Sequence, residues 1–273
     1  MPFNKLPREV CHDIFLLCVR ASFLKHREDA DKKQPYTLSD HPTRFTSVCK
    51  DWAEVARSSP ELWASINVFV VTKEVRVDDI DRPGVELLPP LPIVQKSIDL
   101  SRALPLSFSV IPWNEIKDDN PHINAYVRYV KQMLDNVFVP HHTRWRSATF
   151  QEWPSLYELP FTWSITPNFP RLQQFSFTNS SSGAADPEDP FAQGVIHVLK
   201  NAPVLRHLDV QLYGTDEHFD NWTPEDTCHR IATAIPWERL TALSLFMGYM
   251  SVPKPQAFYW AVPKPRVPHS AYS

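Results

Sequence analysis

The side chains in this sequence best suited to bond-making chemistry are four cysteines, Cys11, Cys18, Cys49 and Cys228, and eleven histidines. A reactive thiolate needs a base beside it, and a zinc site needs four ligands arranged as a tetrahedron. The cysteines contain no CxxC pair, and Cys228-His229 and His141-His142 are adjacent pairs, not ligand sets. No phosphate-binding GxxxxGK[ST], no GxSxG and no HExxH occurs. The sequence therefore predicts no enzyme, no metal site and no cofactor. Cys11, Cys18 and Cys49 fall on positions that read as buried helix faces, where a reduced thiol packs as a small apolar group.

Recognition is the chemistry that remains. Tryptophans at 113, 145, 153, 163, 222, 237 and 260 are of the type enriched at binding hot spots, with packing as their competing role. A chain of 273 residues with 43% hydrophobic content has enough apolar material for a core, so it is not disordered. Five glycines against 27 prolines argue for many stiff connections between short elements. The net charge is −3 and the basic residues are scattered among acidic ones, which suits neither nucleic acid nor an anionic membrane. No apolar run approaches the roughly 20 residues of a membrane span, and MPFNKLPREV lacks the features of a secretory signal. A cytoplasmic or nuclear location is expected.

Residues 1–66 read as a small helical module. Pro7 opens a helix over about 7–19, in which Val10, Ile14, Leu17 and Cys11, Ile14, Cys18 recur at helical spacing. RASFLKHREDADKKQP is crowded with charge and closes on Pro35, and its latter part reads as a solvated loop. Phe45, Val48, Cys49, Trp52, Val55 and Ala56 then form an apolar stripe, on one helix or on two joined near Lys50. Ser58 and Glu61 have the spacing of a capping box leading into Leu62 and Trp63.

Leu6-Pro7-x-Glu9, Ile14-Phe15, Val48-Cys49-Lys50-x-Trp52 and Ser59-Pro60-Glu61-Leu62-Trp63 together resemble the F-box motif. The resemblance covers about the first quarter of the chain. It implies a non-catalytic substrate receptor of a Skp-cullin-F-box ubiquitin ligase, which meets a Skp-type adaptor, and through it a cullin, at Leu6, Pro7, Ile14, Phe15, Val48, Trp52, Leu62 and Trp63. Of these, Ile14, Val48 and Trp52 suit the module's own core equally well, while Leu6, Pro7 and Phe15 suit the interface better. The stretch from Arg20 to Ser39 is longer than the link between the family's first two helices.

Residues 67–140 read as a connecting region with strands and a helix. In it Ile98-x-Leu100 and Leu104 to Val110 alternate apolar and polar residues, the period of half-buried strands. Over 141–250 one phrase recurs: Leu172-x-x-Phe175-x-Phe177, Leu205-x-x-Leu208-x-Val210 and Leu240-x-x-Leu243-x-Leu245, with Trp145-x-x-Ala148-x-Phe150 as a degenerate earlier copy. Each of the three is led in by a proline, at Phe169-Pro170, Ala202-Pro203 and Ile235-Pro236. Helical stretches lie between, around Val195 to Leu199 and over Pro224 to Ile235.

This half resembles the irregular leucine-rich repeats that follow the F-box in many fungal receptors, down to the lead-in SIDLSRALPLSFSV. The expected fold is an α/β repeat, a small helical F-box followed by a short irregular leucine-rich-repeat-like solenoid. Phe175, Phe177, Leu208, Val210, Leu243 and Leu245 should face its core. Ser147, Thr149, Gln174, Ser176, Thr178, His207, Asp209, Gln211, Ser244 and Phe246 should line its concave sheet, and those from Gln174 onward are the candidate contacts to a protein substrate. The segment 251–273 carries Val-Pro-Lys-Pro twice and reads as an extended Pro-rich tail. A ligase-independent repeat scaffold is the alternative reading.

Overall fold

The computed structural model describes residues 6–28, 41–77, 80–112, 129–153, 167–179, 190–214 and 231–249. The expected loop after residue 28, the Pro-rich tail, Cys228 and Trp113, Trp163, Trp222 and Trp260 lie outside them.

Helix α1 spans Arg8–Glu28 and runs past its expected end at residue 19. The Lys, Arg and Glu residues of its last turns, read in the sequence as a sign of loop, are good helix formers, and nothing there breaks the backbone. Cys11, Phe15 and Val19 make its buried row. Phe15 stacks on Phe45 with ring centroids 4.1 Å apart and planes 8° from parallel. Trp52 tilts against Phe15 at 4.8 Å. The stripe from Phe45 to Ala56 is carried by two helices, α2 over Thr43–Thr46 and α3 over Lys50–Ser58. Between them Cys49 is extended, at φ −157° and ψ 171°, so the helical phase is lost. Val48 and Cys49 consequently face solvent instead of continuing the stripe.

A 3₁₀ turn, Pro60–Trp63, closes the bundle. The expected capping box is absent. Ser58 Oγ and Ser59 Oγ both donate back to the Val55 carbonyl, at 3.1 and 2.7 Å, and so satisfy the end of α3 in place of the start of the turn. Pro60, at the first position, has no N–H to satisfy.

A seven-stranded sheet follows. Its strands are β1 Ser65–Val77, β2 Ile80–Leu88, β3 Leu106–Pro112, β4 Trp145–Trp153, β5 Gln174–Asn179, β6 His207–Gly214 and β7 Ala242–Tyr249, in the order β2-β1-β3-β4-β5-β6-β7. β2 returns antiparallel on β1, and all other neighbours are parallel. β3 thus sits beside β1, and each later strand beside its predecessor, and the intervening chain makes the crossover that parallel pairing demands. Within 67–140, β3 bonds directly to β4.

Ile98-x-Leu100, expected as a strand, lies in helix α4, Leu91–Leu100. Prolines 90 and 92 favour a helix start, and Val94 and Ile98, four apart, turn one buried row to the sheet. The helix ends with Arg102 at φ 53°, a left-handed position where glycine is the usual residue.

The recurring phrases fall in one register. Ala148, Phe175, Leu208 and Leu243 are successive partners across β4 to β7, as are Phe150, Phe177, Val210 and Leu245. The leading residues repeat a backbone bond from copy to copy: Gln173 N–H to Arg146 O, Arg206 N–H to Gln173 O and Thr241 N–H to Arg206 O, at 2.8 to 2.9 Å. Helices cover the apolar face. Val94 and Ile98 of α4, the helical segment from Val130 to Phe138, Val195, Val198 and Leu199 of α5 (Pro190–Asn201), and Ile231 join the inward strand residues in one continuous core. The opposite face carries Asn67, Ser109, Ser147, Thr149, Gln174, Ser176 and Asp209.

Two tryptophans, Trp63 in the 3₁₀ turn and Trp145 at the start of β4, fasten themselves to the preceding helical segment in the same way. Trp63 Nε1–H donates to Ala56 O at 2.7 Å and Trp145 Nε1–H to Phe138 O at 3.0 Å, each seven residues back. The bundle joins the sheet where Ser107 N–H donates to Ala64 O at 2.9 Å and where buried His41 meets Ser97 of α4.

Candidate functional site

Two surfaces carry the residues singled out in the sequence. On the bundle, α1 has a second apolar row. Val10, Ile14 and Leu17, at i, i+4 and i+7, are 41, 37 and 66% exposed, while the first row is buried. Pro7 is exposed just before this helix, and Leu6 is half-buried against the bundle core. Val48, on the break between α2 and α3, is 59% exposed.

The other nominated docking residues are held inside. Phe15, Leu62 and Trp63 are at most 1% exposed, and Trp52 is half-buried against Phe15 and Phe45. The physical reason is closure of the small bundle. One longer helix and three pieces of four to nine residues supply little apolar surface, so their largest rings are consumed by the core. Ile14 and Val48, which suited the core as well as the interface, are at the surface, whereas Phe15 is not. Val10 and Leu17 were missed as surface candidates. Their signal was legible: α1 has apolar residues on two adjoining rows, and only one can face α3.

On the sheet, the face opposite the helices is polar and bonded across strands. Ser109 Oγ–H donates to Asn67 Oδ1, Ser147 Oγ–H to Gln174 Oε1 at 3.3 Å and Ser176 Oγ–H to Asp209 Oδ2 at 3.1 Å. Asn67, Ser109, Ser147 and Thr149 are buried, whereas Gln174, Ser176, Thr178, Asp209, Gln211 and Ser244 are half-buried and His207 is exposed. The accessible part of this face is therefore its β5–β7 end. Phe246 stands opposite Gln211 in the register. Thr149, Gln174, Ser176, His207, Asp209 and Ser244 surround an open hollow of about 230 Å³.

His41 had no sequence signal, because a single histidine between a charged segment and a proline has no pattern around it. It is 4% exposed, and its ring lies 6.0 Å from that of Trp63. Thr43 N–H donates to its Nδ1 at 3.3 Å, which leaves the ring proton on Nε2, facing Ser97 Oγ at 3.3 Å. Burial lowers its pKa to about 4. Arg144 acts nearby as a clamp: its Nε–H donates to Leu104 O at 3.0 Å and its Nη2 to Ser101 Oγ. Burial and then Arg144 push the neighbouring His141 below the ordinary histidine range, against a smaller pull from Asp99.

Among the described residues no three His, Cys, Asp or Glu side chains gather as a metal site, and no helix is long and apolar enough to cross a membrane. No known protein family, curated protein or solved structure matches the chain. What the two surfaces offer chemically is an exposed apolar row and a polar, hydrogen-bonding sheet face.

Proposed function

We propose that this chain is a non-catalytic substrate receptor of a Skp-cullin-F-box ubiquitin ligase. Its N-terminal bundle docks on a Skp-type adaptor, and the polar face of its repeat-like sheet, the concave side of a leucine-rich-repeat-like array, receives a protein substrate. The observation that carries this reading is the exposed row Val10, Ile14 and Leu17 on a helix whose adjoining row is buried. Apolar side chains grouped on the surface of a small bundle are stabilised by a partner, and the row begins directly after the Leu6-Pro7-x-Glu9 opening of the F-box-like motif. Sequential parallel strands spaced by about one repeat support the second half of the reading.

Co-purification of the full chain with a Skp-type adaptor tests it. The wild type should form a stable complex, and Ile14→Ser combined with Leu17→Ser should weaken it at least tenfold, about 1.4 kcal/mol, with little change in the melting temperature. Absence of a wild-type complex would sink the receptor reading and leave a repeat scaffold. A complex that supports no ubiquitin-dependent turnover of any bound protein would favour a ligase-independent interaction protein.

A further inference from the structure

The hollow on the sheet face has a chemical polarity of its own. Thr149, Ser176, Asp209 and Ser244 are successive register partners across β4 to β7, and Gln174, His207 and Ala242 form the adjoining row. Adjacent strands lie roughly 4.8 Å apart, so the first row spans about 14 Å, enough for several residues of an extended segment laid across the strands. Asp209 is the one carboxylate among the lining residues. Its Oδ2 accepts from Ser176 Oγ at 3.1 Å and its Oδ1 from Gln211 Nε2 at 3.2 Å. These two bonds fix the carboxylate in place yet use only part of its capacity, since a carboxylate has about four acceptor positions.

Asp209 is half-buried, and among the described residues no basic side chain pairs with it. A carboxylate partly withdrawn from water, oriented by neutral donors and lacking a counter-ion, is set up to accept from a cation. The lining oxygens of Thr149, Gln174 and Ser244 add neutral acceptors around the charge. The volume lies below the roughly 300–1,000 Å³ typical of small-molecule pockets, and the hollow is open, so a side chain carried on a longer segment fits better than a free metabolite.

We infer that this hollow receives a basic side chain, arginine or lysine, from an extended segment of a protein partner, with the Asp209 carboxylate as its charge partner. The inference rests on the reading of this sheet face as the substrate surface.

The test uses the full chain and dye-labelled pentapeptides Ser-Ala-X-Ala-Ser with X as arginine, lysine, the neutral arginine analogue citrulline, or norleucine. Binding is read by fluorescence anisotropy and by ¹⁵N backbone shifts. The arginine or lysine peptide should move the amides of Ser176, Asp209 and Ser244, and the stronger of the two identifies the natural side chain. Citrulline and norleucine should bind at least tenfold more weakly, and Asp209→Asn should cost at least tenfold with an unchanged melting temperature. Citrulline binding as well as arginine, equal binding by Asp209→Asn, or no shifts at these amides with either cation would overturn the inference. Adaptor co-purification with the same proteins separates the two failures. Asp209→Asn that keeps the adaptor but loses the peptide supports the subsite. A wild type that binds the peptide but no adaptor sinks the receptor reading alone.

Discussion

Acid should loosen this fold through His41, and the size of the effect follows from its surroundings. Its pKa is about 4 in the folded chain against 6.5 for a free imidazole. Protonation would place a second N–H on Nδ1, directly against the Thr43 N–H that now donates to it. Above pH 6.5 the ring is neutral in both folded and unfolded chains, and the full stability is present. As pH falls below 6.5 the unfolded chain takes up the proton first, so stability is lost progressively until the folded ring titrates near 4. One pKa unit corresponds to about 1.36 kcal/mol, so going from pH 7.5 to pH 5 should remove about 2 kcal/mol through this residue alone. The assay is urea denaturation of the wild type and His41→Gln at both pH values. The variant should be weaker at pH 7.5 but should lose about 2 kcal/mol less on acidification, a difference that cancels the contribution of His141 and the other histidines. Parallel losses in the two proteins would refute the argument.

Two further outcomes are expected. Phe15→Ala should cost about 3–5 kcal/mol in chemical denaturation, because it empties the stack on Phe45, whereas Leu17→Ser should stay within about 0.5 kcal/mol. If the two changes prove equal in cost, the assignment of one buried and one exposed row on α1 is wrong. Arg102→Gly should stabilise the chain by about 0.5–1 kcal/mol, since only the side chain resists φ 53° there, and a denaturation midpoint that falls would contradict this.

The sheet was legible wherever an apolar pair at i and i+2 followed a leucine, or Trp145 in the earliest copy, by three residues. That pattern placed β4, β5, β6 and β7 and their inward residues, because a strand with one buried face must alternate. Ile98-x-Leu100 shows the limit of the rule. Two alternating residues fit a strand and a helix equally, and the decision came from Pro90 and Pro92, which start α4. In the bundle, residue types alone did not separate core from surface. Ile14 and Phe15 are adjacent and both apolar, and only the partner helices α2 and α3, through Phe45 and Trp52, decide which one is enclosed. The hollow around Asp209 was visible as a set of outward residues, but its lack of a counter-ion depends on which side chains lie near in space.

The chain-order arrangement of the parallel strands has a consequence for synthesis on the ribosome. Each strand after β1 pairs with a strand already made, β2 and β3 with β1 and every later one with its predecessor, so an emerging segment meets a finished template and need not wait for distant sequence. Assembly can proceed vectorially from the bundle outward. A lesion in β5 would then strand β6 and β7 without a template while the N-terminal helices fold normally, producing a protein competent at one end and unformed at the other.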